Sequence, residues 1–99
     1  METKTEQAEE EIKEIIFRFL DKDEYKVFIF GSRANEQARK YSDYDIGISG
    51  SKPLPETTKF MIEEALEKSD LPYKIDIVDF SLVSPEFKKV ALKKIKELK

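Results

Sequence analysis

The stretch Gly31–Asp45, GSRANEQARKYSDYD, holds a glycine-serine pair, ten intervening residues, and then two aspartates separated by one tyrosine. Val27-Phe28-Ile29-Phe30 runs into it, and four apolar residues in succession read as a short strand buried on both faces. Gly31-Ser32 ends that strand. Arg33 to Arg39 contains good helix formers with little apolar stripe, which predicts a short surface helix or helical turn with Ser32 as its N-cap. That cap is half formed, because its reciprocal partner would be Asn35 rather than Glu or Gln. Asp43 to Ser49, DYDIGIS, alternates as a second strand. Tyr44, Ile46 and Ile48 fall on one face, and Asp43, Asp45 and Gly47 on the other.

Outward from this centre the chain alternates helix and strand. Thr3-Lys4-Thr5-Glu6 fits a capping box, and Ala8, Ile12, Ile15, Ile16, Phe19 and Leu20 follow at helical spacing, predicting a helix over 5–20. Gly50 to Pro55, with two prolines, reads as a loop. Phe60, Met61, Ile62, Ala65 and Leu66 then mark a helix over 56–68. Tyr73 to Val78 predicts a third strand, and Ser84-Pro85 is a start signal for a last helix through Phe87, Val90, Ala91, Ile95 and Leu98. This order implies a small α/β layer fold with a three-stranded sheet and about four helices. The connection over 33–39 is short for a parallel crossover, so the first two strands are expected to be antiparallel and the sheet mixed.

Composition narrows the chemistry. Ninety-nine residues suit a single domain over 1–99, and 39% hydrophobic beside 39% charged residues describes a soluble globular protein with a heavily charged surface. No apolar run approaches the roughly 20 residues of a membrane span, and the acidic, polar N-terminus does not fit a secretory signal, so the cytoplasm is the expected location. Without cysteine or histidine, thiolate or imidazole metal sites and serine-histidine hydrolysis are excluded. Oxygen ligands and hard cations such as magnesium remain. A net charge of −3 argues against direct nucleic-acid binding through a basic surface.

Asp43 and Asp45, two positions apart on a strand, project the same way and repel when both are ionised. A divalent cation offsets that repulsion, and magnesium favours carboxylate oxygens while binding substrate phosphates as well. Two surface aspartates on an edge strand are the ordinary alternative. Ile75-Asp76-Ile77-Val78 sets a further aspartate in an apolar strand, and Asp76 joins the same face if the third strand lies beside the second. Asp79 has the wrong parity and reads as a strand-end or turn residue. Gly31, between a strand and a helix start, can let an anion approach the main chain, and Ser32 can donate its hydroxyl to the same phosphate or serve as a plain N-cap. Arg33 can add positive charge to a triphosphate, or lie on the surface as an ordinary arginine.

Taken together, Gly31-Ser32, ten residues, Asp43-Tyr44-Asp45 and a strand aspartate about thirty residues later resemble the DNA polymerase β-like nucleotidyltransferase superfamily. The strings GSRA and SDYD and the short length look like its minimal nucleotidyltransferase (MNT) branch, antitoxin-type proteins paired with HEPN-domain toxins. The pattern departs from that branch at Asn35, where a second arginine is common, and at Glu36, where glycine is common. The resemblance implies transfer of a nucleoside monophosphate, AMP from ATP, to a tyrosine hydroxyl of a HEPN-type partner. Asp43, Asp45 and Asp76 would hold two magnesium ions, and Gly31 and Ser32 would steady the β and γ phosphates. Asp76 would also be able to take the hydroxyl proton. The alternative is a binding module that neutralises its partner by contact, with the site vestigial.

So short a chain can supply a triphosphate cradle and metals but not a deep pocket for a second substrate, so a partner or a homo- or hetero-oligomer is expected to complete the site. The first 14 residues hold six acids and two bases, whereas Glu86 to Lys99 holds six lysines and two glutamates. Lys89, Lys93 and Lys96 would share a face of the last helix. A solvated lysine face with the acidic first helix packed nearby is the plainer reading of that asymmetry.

Overall fold

A computed structural model describes residues 4–31 and 43–99. Their elements, in chain order, are α1 (Lys4–Ile16), β1 (Tyr25–Phe30), β2 (Tyr44–Gly50), α2 (Glu56–Glu67), β3 (Ile75–Asp79), α3 (Pro85–Ala91) and β4 (Lys96–Leu98). The strands form one mixed sheet in the order β3-β2-β1-β4, with β1 antiparallel to β2 and β4, and β2 parallel to β3. The antiparallel first pair and the mixed sheet agree with the sequence expectation. The predicted Thr3 cap, the Ser32 N-cap and the short helix over 33–39 lie outside the described residues.

Alternation of side chains along the strands divides the interior into two cores. On one face Val27 lies opposite Ile48 and Ile29 opposite Ile46, and these pack with Tyr44 and Ile77 beneath Ile12, Ile15 and Ile16 of α1 and Ile62 and Leu66 of α2. On the other face Phe28 and Phe30 meet Phe80, edge-on at 4.8 and 5.1 Å between ring centres, with Val78, Val83, Ala91 and Ile95 packed around them. The continuous apolar run of β1 is therefore buried on both sides, as its composition predicts. Gly47 makes the second core possible, since a Cβ there would collide with the Phe28 ring and lie 2.7 Å from that of Phe80.

The helix termini follow local chemistry. Ser84 caps α3, its Oγ accepting from the Phe87 N–H at 3.1 Å with Pro85 at the first position. The first helix stops at Ile16, short of the predicted Leu20, and tightens into a turn in which the N–H groups of Arg18 and Phe19 donate to the carbonyls of Ile15 and Ile16. Leu20 is still buried.

One element departs from the sequence reading. The last helix ends at Ala91 instead of continuing through Leu98, and 96–98 becomes a fourth strand on the edge of β1, so the sheet has four strands rather than three. Residues three apart share one side of a helix but opposite faces of a sheet. Ile95 packs on the phenylalanine core and Leu98 in the isoleucine core, and only an extended path along the sheet edge places them on its two sides. Burying a leucine contributes about 1.5–3 kcal/mol, more than the few tenths per residue by which helix propensity differs among Lys, Glu and Leu. The predicted lysine face is accordingly broken up. Lys96 reaches back from β4 to Glu9 of α1, whose carboxylate is buried, so the acidic first helix does pack beside the basic end of the chain.

Candidate active site

β1 delivers the chain to Gly31, which takes a φ of +75°, a left-handed conformation that glycine adopts without steric cost. β2 starts one residue after Asp43, an exposed residue at the sheet's rim. Asp45 then lies opposite Phe30 of β1 on one side and opposite Asp76 of β3 on the other. Adjacent strands run about 4.8 Å apart, so the Asp45 and Asp76 side chains leave the sheet as neighbours on one face. That face is the one carrying the phenylalanine core, and the two aspartates occupy its end nearest Gly31.

The electrostatics reflect this crowding. The Asp45 carboxyl is held above its ordinary value by burial first, then by the charge of Asp76, then by that of Asp43. Both of the other predicted carboxylates thus act on Asp45. A Cβ at Gly31 would lie 2.5 Å from Oδ2 of Asp45, so the glycine turn and the carboxylate cluster are in direct contact. Ser32 and Arg33, the other predicted phosphate ligands, lie outside the described residues.

These residues suit a hard divalent cation. Their donors are carboxylate oxygens, and a cation would favour the ionised Asp45 that burial and then the charges of Asp76 and Asp43 oppose. Among the described residues no three acidic side chains are placed so as to hold a metal ion by themselves. Magnesium does not need such a set, since it keeps several waters and takes one or two carboxylates together with substrate phosphates.

Asp79 has a separate, structural task. It is buried, and its Oδ2 accepts from the Leu54 N–H at 2.8 Å while Oδ1 accepts from the N–H and hydroxyl of Ser81 at 2.9 and 2.7 Å. It pins the loop after β2 to the end of β3. Burial alone would push this carboxyl up, but the Ser81 and Leu54 hydrogen bonds and the charge of Lys59 outweigh it and hold Asp79 below its ordinary value. The sequence reading placed it at a strand end, in agreement, but gave it no partners. It also assigned no purpose to Gly47. A glycine inside an otherwise apolar, alternating strand was the available signal for a close approach.

Known proteins share related sequences and the fold. Residues 9–99 match the family described as polymerase beta, nucleotidyltransferase. A relative from Haemophilus influenzae, "Probable protein adenylyltransferase MntA", is 37% identical over 70 residues, which span 71% of this chain and 61% of that protein. Among solved structures, a chain of a toxin-antitoxin complex with AMP-PNP superposes with a TM-score of 0.73 at 21% identity, over 90% of this chain and 70% of that one. Another, from a tri-AMPylated Shewanella oneidensis HEPN toxin in complex with MNT antitoxin, gives 0.68 at 21% identity, over 92% and 68%. At these identities the structural likenesses speak for the fold. The family match over nearly the whole chain, on a mixed sheet that sets Asp45 beside Asp76 at the glycine turn, means that this chain belongs to the polymerase β nucleotidyltransferase family.

Proposed function

We propose that this chain is a single nucleotidyltransferase domain that transfers AMP from ATP to a hydroxyl, the tyrosine of a HEPN-type toxin, and so acts as an antitoxin in the cytoplasm. The observation that carries this reading is the lateral pairing of Asp45 with Asp76 beside the left-handed turn at Gly31. The similarity to MntA and to antitoxin structures supports the choice of acceptor.

In this mechanism the main chain at Gly31, with Ser32 and Arg33, steadies the β and γ phosphates of the nucleotide. Asp43, Asp45 and Asp76 would hold magnesium, which would supply positive charge to offset the negative charge developing in the transfer. The acceptor oxygen attacks the α-phosphorus. A new P–O bond forms, the bond to the bridging oxygen of the β-phosphate breaks, and pyrophosphate leaves with that electron pair. The hydroxyl proton passes to the Asp76 carboxylate, directly or through water. Positioning and charge carry the reaction, with no covalent intermediate on the protein. The acceptor arrives on another chain, which makes this domain a donor half-site.

The decisive experiment incubates the protein with a candidate HEPN partner, labelled ATP and magnesium. Label is expected on the partner's tyrosine with the unaltered protein, and none with Asp43→Asn or Asp45→Asn. If no label transfers and the complex forms equally well with both variants, the protein is a binding module and the enzymatic reading fails.

A further inference from the structure

We propose that the groove between the end of β1 and α3 receives the base and ribose of the nucleoside triphosphate, with the exposed side chains of Phe87 and Val90 as its platform. The proposal rests on the nucleotidyl-transfer reading above and adds the part of the site that grips the nucleoside. The groove encloses about 390 Å³ and is lined by Phe30, Gly31, Phe87, Val90, Lys93 and Lys94, among others. That volume lies in the range of small-molecule sites, which are largely apolar with a few polar groups at the margin.

Three observations favour this occupant. The first is continuity. Gly31 lines the groove and also abuts Asp45, so a ligand whose phosphates lie at the carboxylates reaches the groove without leaving the sheet face they share. The second is exposed apolar surface where a flat ring can rest. Phe87 is 44% and Val90 66% exposed, although the Phe87 ring is itself braced edge-on against Phe30, 6.0 Å between centres. The third is charge. Among the described residues Lys93 and Lys94 are the charged ones lining this groove, and neither makes an ion pair there.

The other grooves suit a nucleotide less well. A groove of about 400 Å³ between α2 and the free edge of β3 also reaches Asp76, but among the described residues Glu63 and Glu67 join Asp76 on its walls against one lysine, Lys74. Such a lining repels a polyanion. The groove bounded by Lys22, Tyr25 and Lys99 lies at the opposite end of β1 from Gly31, away from the carboxylates.

The test compares equilibrium binding of ATP and of inorganic tripolyphosphate, each with magnesium, to the full chain and to Phe87→Ala and Val90→Asn. Val90 is mostly exposed, so its substitution leaves the fold intact even if Phe87→Ala loosens the aromatic core. The unaltered protein is expected to bind ATP about tenfold more tightly than tripolyphosphate, as stacking of one base on an aromatic platform provides. Both variants should weaken ATP binding, Phe87→Ala by about tenfold, and leave tripolyphosphate within about twofold. Equal affinity of the unaltered protein for the two ligands overturns the groove assignment alone. So do variants that bind ATP normally, the result expected if this apolar surface instead receives a protein. An unaltered protein that binds neither ligand overturns the nucleotide reading and the groove with it.

Discussion

Oδ2 of Asp45 occupies the space where a side chain on Gly31 would begin, 2.5 Å from the position of its missing Cβ. The left-handed φ of +75° and this contact restrict the position in the same direction. Gly31→Ala is therefore expected to destabilise the fold by about 1–3 kcal/mol and to displace Asp45. Urea denaturation measures the first effect, and loss of magnesium-dependent ATP binding measures the second. A variant as stable as the original and equally competent in binding would show that the turn and the carboxylate are not coupled.

The crowding of Asp43, Asp45 and Asp76 predicts opposite effects of one substitution with and without metal. The folded state raises the Asp45 pKa, so its ionisation opposes folding, and this carboxyl's contribution becomes less favourable as pH rises above the ordinary value of 3.8. In chelator at neutral pH, Asp45→Asn should melt at the same temperature as the unaltered protein or higher. With magnesium and a non-hydrolysable ATP analogue, the unaltered protein should gain stability by ligand linkage, and Asp45→Asn should gain much less. A clear loss of melting temperature for the variant in chelator would point to a structural hydrogen bond at Asp45 instead.

Asp79 should behave in the reverse sense. Its folded pKa is lowered, so its contribution is fully present above the ordinary value of 3.8 and is lost as pH falls below it towards the depressed folded value. Asp79→Asn presents an amide to N–H donors at Leu54 and Ser81, leaving one of its two terminal atoms unable to accept. The expected cost at neutral pH is about 1–3 kcal/mol. Acid titrations followed by circular dichroism should show the variant's deficit shrinking below about pH 4.

Gly47→Ala tests the second core. The added methyl has no room between the Phe28 and Phe80 rings, and overpacking of this kind costs about 1–3 kcal/mol. Near-ultraviolet circular dichroism should register displaced aromatic rings. A variant that melts like the original would mean the rings move aside freely.

The sequence was most legible where a local signal and the tertiary packing favour the same state. Ser84-Pro85 starts α3 because the cap and the proline act within one turn, whatever lies around them. The alternation of Tyr44 to Ser49 places Asp45 and Gly47 on the opposite face from Ile46 and Ile48, since the period of two is a property of the strand itself. The spacing of Gly31, Asp43, Asp45 and Asp76 was likewise enough to nominate a site before any fold was known.

Other features depend on which strands are neighbours, and no local period contains that information. Ile95 and Leu98 read as one side of a helix until β1 offers an edge and the two cores claim one residue each, so burial outweighs a small propensity. Asp79 gains its purpose only when the loop at Leu54 folds back upon it. The chain alone determined the kinds of group available, carboxylates and a flexible glycine in place of thiols or imidazoles. The tertiary structure decided that Asp45 stands between Phe30 and Asp76, because strand order sets how closely charges from distant parts of the chain must approach.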